Sequence, residues 1–246
     1  MTVLTAFTNY TKDVIYNFVD SLNKTGFDGR KIVAYYNPEK SIVNYLEKQG
    51  WEVLTYPKPK YHINFQRRKE FSDIIVECNL QDEYICCADM RDVYFAKSPS
   101  DIKVDFYVQL DTRLTFENHE WNRKTIQKGY PEYYNKLKDK LPFCAGVVIG
   151  KGYILKEFFG DFYSTGLSSS FKNIQDVTSG LDQSTFNLLL YTKYRFRWTS
   201  QGRYVLHMGN LDDNFNIDDY HIYHQYERRK KHQKYVDSLN KKSYIS

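Results

Sequence analysis

The first half of the chain alternates short apolar runs with amphipathic ones. "VLTAF" (Val3 to Phe7) is followed by Val14, Ile15, Phe18, Val19 and Leu22, which recur at helical spacing and stop near Gly26, so a strand and then a helix are predicted. "KIVAYY" from Lys31 predicts a second strand, "SIVNYLEKQG" a second helix, and "WEVLTYP" from Trp51 a third strand ended by Pro57 and Pro59. Phe65 to Leu80 then reads as a helix leading into a strand at Tyr84, and "DFYVQL" from Asp105 reads as a further strand. In the second half "LPFCAGVVIG" is a buried strand, "GYILKEFFGDFYSTG" and "DQSTFNLLLYTK" are helices, and "YRFRW" and "YVLHMG" are expected as strands. Strands that are apolar throughout, not on alternate residues, are those covered on both sheet faces. The expected class is therefore α/β, with a mostly parallel central sheet flanked by helices in one Rossmann-like domain.

Composition narrows this picture. A chain of 246 residues buries a full core as one domain, and 23 Tyr with 16 Phe against 12 Gly point to aromatic packing and ring-stacking sites, not to disorder. The net charge of +5 is localised: Arg228, Arg229, Lys230, Lys231, Lys234, Lys241 and Lys242 face only Glu227 and Asp237, and the remainder is balanced. The expected division is residues 1–226 as the main domain and 227–246 as a basic helical tail. That tail is a solvated helix face or a peripheral contact with an anionic membrane. Cys78, Cys86, Cys87 and Cys144 lack C-x-x-C spacing and read as reduced core residues, with Cys86 and Cys87 on opposite faces of a strand. No charged-then-apolar leader precedes Val3 and no apolar stretch approaches the ~18 residues that span a bilayer, so a cytoplasmic protein is expected, with the sequons at Asn9 and Asn23 accidental.

Candidate chemistry sits at the end of the Tyr84 strand. "YICCADMRDVYF" leaves the core at Asp89 and adds Arg91 and Asp92 before turning apolar again, and ligands of open α/β sheets bind beyond the carboxyl ends of strands. No G-x-G-x-x-G follows a strand and "GKGY" at Gly150 lacks P-loop spacing, so nucleotide phosphates need another holder. Two acidic oxygens on a hard divalent cation supply one.

"ADMRDVYFAKSP" resembles the D-x-R-D-V signature of nucleotide-sugar glycosyltransferases of the GT-A fold, whose acidic strand end forms a DxD-type metal site. "VLTAF", "CAGVVIG", "LDQSTFN" and "YHQYER" resemble further stretches of that family in the same order. The resemblance implies Mn2+ or Mg2+ on Asp92, with Asp89 on the metal or on the ribose, and His224 closing the site, with His207 as the alternative. It also implies donor contacts from Thr5, Ala6, Phe7, Gly146 and Gln183; Arg67 and Arg68, just before the acidic strand, and Arg91 beside it are candidates to reach the diphosphate. Asp182 would be an acceptor-binding residue or base. Two departures stand out: Cys144 occupies a position where relatives carry Asn, and two residues separate Asp89 from Asp92 where the shorter motif has one.

Each residue also has a plain structural reading. Arg91 would be the ion-pair partner that keeps both carboxylates ionised, Arg67 and Arg68 (with Lys69, a weaker candidate) an exposed helix face, and Asp182 a helix N-cap. His221 and His232 are assigned structural places. The implied function is metal-dependent transfer of a sugar from a nucleotide-diphosphate sugar, a UDP-sugar being the expected donor, to a hydroxyl of a glycan acceptor, as in polysaccharide biosynthesis, with no nucleic-acid partner. The alternatives are a nucleotidyltransferase acting on sugar phosphates, and a non-catalytic glycan- or nucleotide-binding module.

Overall fold

Val3, Leu4, Ala6 and Phe7 are buried on both sides of the first strand, β1 (Thr2–Thr8), which is why its sequence does not alternate. The computed structural model describes residues 1–170, 180–210 and 219–242. After β1 come α1 (Lys12–Lys24), β2 (Arg30–Tyr36), α2 (Lys40–Lys48), β3 (Glu52–Tyr56), α3 (Ile63–Glu77) and β4 (Tyr84–Asp89). These are the elements the periodicity predicts. The one sizeable shift is in α3, which ends before Leu80 because Asn79 turns the chain in the left-handed region at φ 56°.

The chain continues through β5 (Val93–Phe95), β6 (Phe106–Leu110), α4 (Glu120–Gly129), α5 (Tyr134–Leu137), β7 (Phe143–Lys151), α6 (Gly152–Leu167), α7 (Gly180–Tyr191), β8 (Val205–His207), β9 (Ile222–His224) and α8 (Lys230–Lys242). The main sheet has the order β3-β2-β1-β4-β7-β6. Its first four strands are parallel, whereas β7 runs antiparallel to both β4 and β6. The α/β class and the mostly parallel sheet hold, and the sheet is mixed because β7 is antiparallel to its neighbours. An apolar run reports burial on both faces but not direction, so β7 looked like its neighbours.

Two core layers sandwich the sheet. Leu4, Cys87 and Val108 pack with Phe71, Phe158 and Phe186 of α3, α6 and α7, while Val3, Cys86 and Val147 pack with Phe18 and Leu46 of α1 and α2. Cys86 and Cys87 thus divide between the faces as strand alternation requires, and all four cysteines are free.

A second sheet, β5-β9-β8, carries the C-terminal segment back to the acidic strand end. Val93 pairs with His224 across the antiparallel β5–β9 ladder, and His207 pairs with His224 across the parallel β8–β9 ladder. Strands of three residues are too short to show a period, so β5 and β9 are invisible in the sequence pattern. Two expected strands are corrected. "YRFRW" is a turn, because the Tyr194 ring folds into the core and the Trp198 indole reaches back to Leu190 O at 3.0 Å. "YVLHMG" is extended only over β8 and then tightens into a 3-10 turn at Met208–Asn210. The basic helix α8 is anchored by Val236 against Tyr94, Tyr223 and Tyr226. Among the described residues no helix is long and apolar enough to cross a membrane.

Candidate metal and nucleotide site

Asp89 is the last residue of β4, Asp92 stands just before β5, and β9 delivers His224 to them. His224 Nε2 lies 3.4 Å from Asp92 Oδ1 and 3.6 Å from Asp89 Oδ2. The three side chains can point ligand atoms to one place, all within 4.8 Å of one another. Strand β7 makes room for the imidazole. Val108 faces Val148 on it but Gln109 faces Cys144, so Ala145, Gly146 and Val147 bow out as a bulge. A Cβ on Gly146 would lie 2.5 Å from His224 Nε2 and 2.9 Å from Asp89 Oδ2, so only glycine fits there.

The charges around this point are unevenly balanced. Burial would raise the Asp89 carboxyl, but the Arg67 guanidinium paired with its Oδ1, together with His224, holds it well below the usual carboxylate range. Burial would depress the His224 imidazole, yet Asp92, Cys144 and Asp89 hold it well above its ordinary value. Asp182 behaves in the opposite way to Asp89. Burial pushes its carboxyl up to about 6 against the pull of Arg68 and Arg67, and its Oδ1 is buried without a hydrogen bond. It lies inside the first turn of α7, not at its cap.

These groups share one cavity of about 500 Å³, lined by Ala6, Phe7, Arg67, Asp89, Arg91, Asp92, Gly146, Asp182 and Gln183 among others. His224, fully buried, stands behind Gly146 and the carboxylates and does not line it. Gln183 accepts from Ala145 N at 3.2 Å, and Asn187, one turn on, clamps Phe143 N and O at 2.7 and 2.8 Å. The Asp-Gln-x-x-x-Asn stretch therefore also pins the bulged strand.

Several expectations change. Thr5 is covered and donates to Ala88 O at 2.7 Å, so it does not face a ligand. Arg67 and Arg68 are not an exposed helix face: both are buried. Arg67 lines the cavity, whereas Arg68 turns away, donates to Ala145 O at 2.6 Å and packs on Phe159 and Phe162. Burial, with Arg67 nearby, lowers the Arg68 pKa to about 10. Arg91 does not clamp the two carboxylates; its exposed side chain pairs with Glu227 at 3.1 Å. Lys69 pairs with Asp73 on the surface.

His207 is outside the Asp89–Asp92 group. Its Nε2 faces Asp111 Oδ1 at 3.3 Å, its ring crosses that of His224 at 5.4 Å, and burial drives its pKa well below the ordinary value. With Cys144 and His224 it makes a second cluster of possible ligands. His221 caps the Ser98 carbonyl at 3.0 Å.

Sequence reasoning missed Tyr10, Asp111, Trp121 and Arg228, all of which line the cavity. The Tyr10 ring lies parallel to Phe7 at 5.9 Å, and Phe7 stacks on Tyr35 at 4.2 Å, which builds an aromatic platform beside Arg67. Asp111 had a signal: it follows the apolar "FYVQL" run as Asp89 follows its own. The partly exposed indole of Trp121 had none, since it depends on where α4 is placed. Comparison of the chain with family models finds no match, and comparison with curated proteins finds none either.

Proposed function

We propose that this chain is a metal-dependent glycosyltransferase of the GT-A type, moving a sugar from a nucleotide-diphosphate sugar to a hydroxyl of a glycan acceptor. The observation that carries the reading is the convergence of Asp89, Asp92 and His224 on one point, beside a buried cation and a buried carboxyl of raised pKa, in a cavity large enough for such a donor. The sheet also puts this convergence at the carboxyl end of β4, where α/β sheets bind ligands.

The residues fit a divalent cation: two carboxylates and one imidazole are hard and borderline donors, a set that suits Mn2+ better than Mg2+, and His224 Nε2 is buried without a hydrogen bond. Bound by Asp89, Asp92 and His224, such a cation supplies a Lewis acid for the charge developing on the diphosphate, worth several kcal/mol. Phe7 and Tyr10 offer their rings to the base. Arg67 holds Asp89 ionised and turns its guanidinium to the cavity, toward the diphosphate. In an inverting transfer Asp182 takes the acceptor proton as the new bond from acceptor oxygen to sugar carbon forms and the bond from that carbon to the diphosphate breaks.

A thermal-shift screen of nucleotides and nucleotide sugars, each with and without Mn2+, tests the reading. A nucleotide that stabilises the protein only with Mn2+ is the expected result, since a ligand at ~100 times its dissociation constant adds ~2.7 kcal/mol. No metal-dependent shift with any nucleotide would overturn it.

A further inference from the structure

Gln109 is buried near the end of β6 with its amide Nε2 2.6 Å from Nδ1 of His224. Its Oε1 is also buried and has no hydrogen-bond partner. A glutamine amide is a donor at one end and an acceptor at the other, so turning it end for end changes which of the two meets the imidazole. The imidazole has the complementary property. A neutral ring carries one proton, and whichever nitrogen lacks it has the lone pair.

The two facts are linked through the carboxylates on the other side of the ring. Without a cation, Nε2 faces Asp92 Oδ1 at 3.4 Å and Asp89 Oδ2 at 3.6 Å, and the Gln109 amide lies against Nδ1 at 2.6 Å. For Nε2 to give its lone pair to a cation between those carboxylates, the proton must sit on Nδ1 and needs an acceptor there. Cys144 Sγ is 3.9 Å from Nδ1 and a weak acceptor, whereas Gln109 Oε1 comes within reach by rotation of the amide alone.

The geometry points to Gln109 as the positioning residue of the metal site: its amide oxygen accepts from Nδ1–H of His224 and so leaves the Nε2 lone pair to a divalent cation. This rests on the metal-dependent reading above. Gln109 touches neither donor nor acceptor, and acts through His224.

The test measures Mn2+ dissociation constants, from the spin-resonance signal of free Mn2+, for the full chain and for Asp92→Asn, Gln109→Met and Gln109→Glu. Gln109→Met, which fills the space without an acceptor, should weaken Mn2+ by about 10-fold or more, while Gln109→Glu, which keeps an acceptor, should stay near the parent value. If Asp92→Asn weakens binding and Gln109→Met does not, the role of Gln109 is overturned and the metal site stands. If the parent chain binds no Mn2+, both fall. Nitrogen NMR of His224 in the parent chain saturated with diamagnetic Zn2+, an ion that imidazole holds well, decides the matter even where Gln109→Met fails to fold. A proton on Nδ1 supports the assignment, and a proton on Nε2 overturns it.

Discussion

His224 reaches Asp92 because its strand partner is Val93, the very next residue: the β5–β9 ladder brings Nε2 within 3.4 Å of Asp92 Oδ1. Gln225, with its backbone in the left-handed region at φ 58°, closes the clasp by donating its N–H to Asp92 O at 2.8 Å. Two short segments far apart in sequence thus bring Asp92 and His224 together beside Asp89 through backbone geometry, so the proposed ligand set needs no rearrangement of the chain.

That arrangement has a pH signature. Burial lowers the His224 pKa, but Asp92 and its neighbours raise it well above 6.5, so a cation bound as proposed would have to displace a proton. Mn2+ affinity should therefore rise by up to about tenfold per pH unit while His224 remains protonated. The sign for folding is opposite: a raised imidazole stabilises fully below its unfolded value and the gain is lost as pH climbs through the folded one. Mn2+ titrations between pH 6 and pH 9 check this, and a flat affinity would contradict it.

Asp182 should set a different limb. A base must be ionised, so transfer should rise with pH and level off above the carboxyl value of about 6 that burial imposes. Asp182→Asn should cost ~10² to 10⁴ in rate and remove the limb. Because the folded carboxyl binds its proton more tightly than the unfolded one, its ionisation costs stability as pH rises from 3.8 to about 6. Above that range the Asn variant should be at least as stable as the parent in urea.

The pair of Arg67 and Asp89 should behave as a buried ion pair. Arg67→Ala leaves the Asp89 carboxylate with His224 as its nearest partner and should destabilise by about 3 kcal/mol, the low end for such breaks because His224 remains and the Asp89 side chain keeps 25% exposure. Adding Asp89→Asn should recover much of the loss. A double-mutant cycle in urea measures it, and strictly additive effects would contradict the coupling.

Much of this was legible in the sequence, and what was not has physical causes. The strand ends at Asp89 and Asp92 and the glycine at Gly146 show in the apolar runs that precede or contain them. Arg67 shows as a cation just before the acidic strand, but its burial does not show, because nothing in "FQRRKEF" tells which face of α3 meets α6 and the sheet. Asp182 shows as a helix start, but its raised carboxyl depends on three-dimensional burial. Gln109 was missed: a single uncharged polar residue in a strand reads as a gap in the apolar run until the strand opposite supplies a histidine. The meeting of His224 with Asp92 shows only through the resemblance of "YHQYER", because the two three-residue strands that build it have no period to read.

Gly146→Ala separates site geometry from stability. The new Cβ would press on His224 Nε2 and Asp89 Oδ2, so Mn2+ affinity should fall by about 10-fold or more. Overpacking should cost about 1–3 kcal/mol. Gly160→Ala is the control: it sits within α6 with only Ser72 Oγ nearby at 3.7 Å, and should gain about 0.5–1 kcal/mol without touching Mn2+ binding. Unchanged Mn2+ affinity in folded Gly146→Ala would remove His224 from the ligand set.

The most direct measurement of the central claim is release of nucleoside diphosphate from a panel of nucleotide sugars, with and without Mn2+, by the parent chain and by Asp92→Asn. Asn nearly preserves the shape of Asp, so the variant should fold as the parent does. The account predicts Mn2+-dependent release by the parent, abolished by chelation, and at least about 10²-fold lower in Asp92→Asn, the scale on which lost electrostatic stabilisation of a transition state is felt. Release that is independent of metal, or unchanged in folded Asp92→Asn, would contradict it.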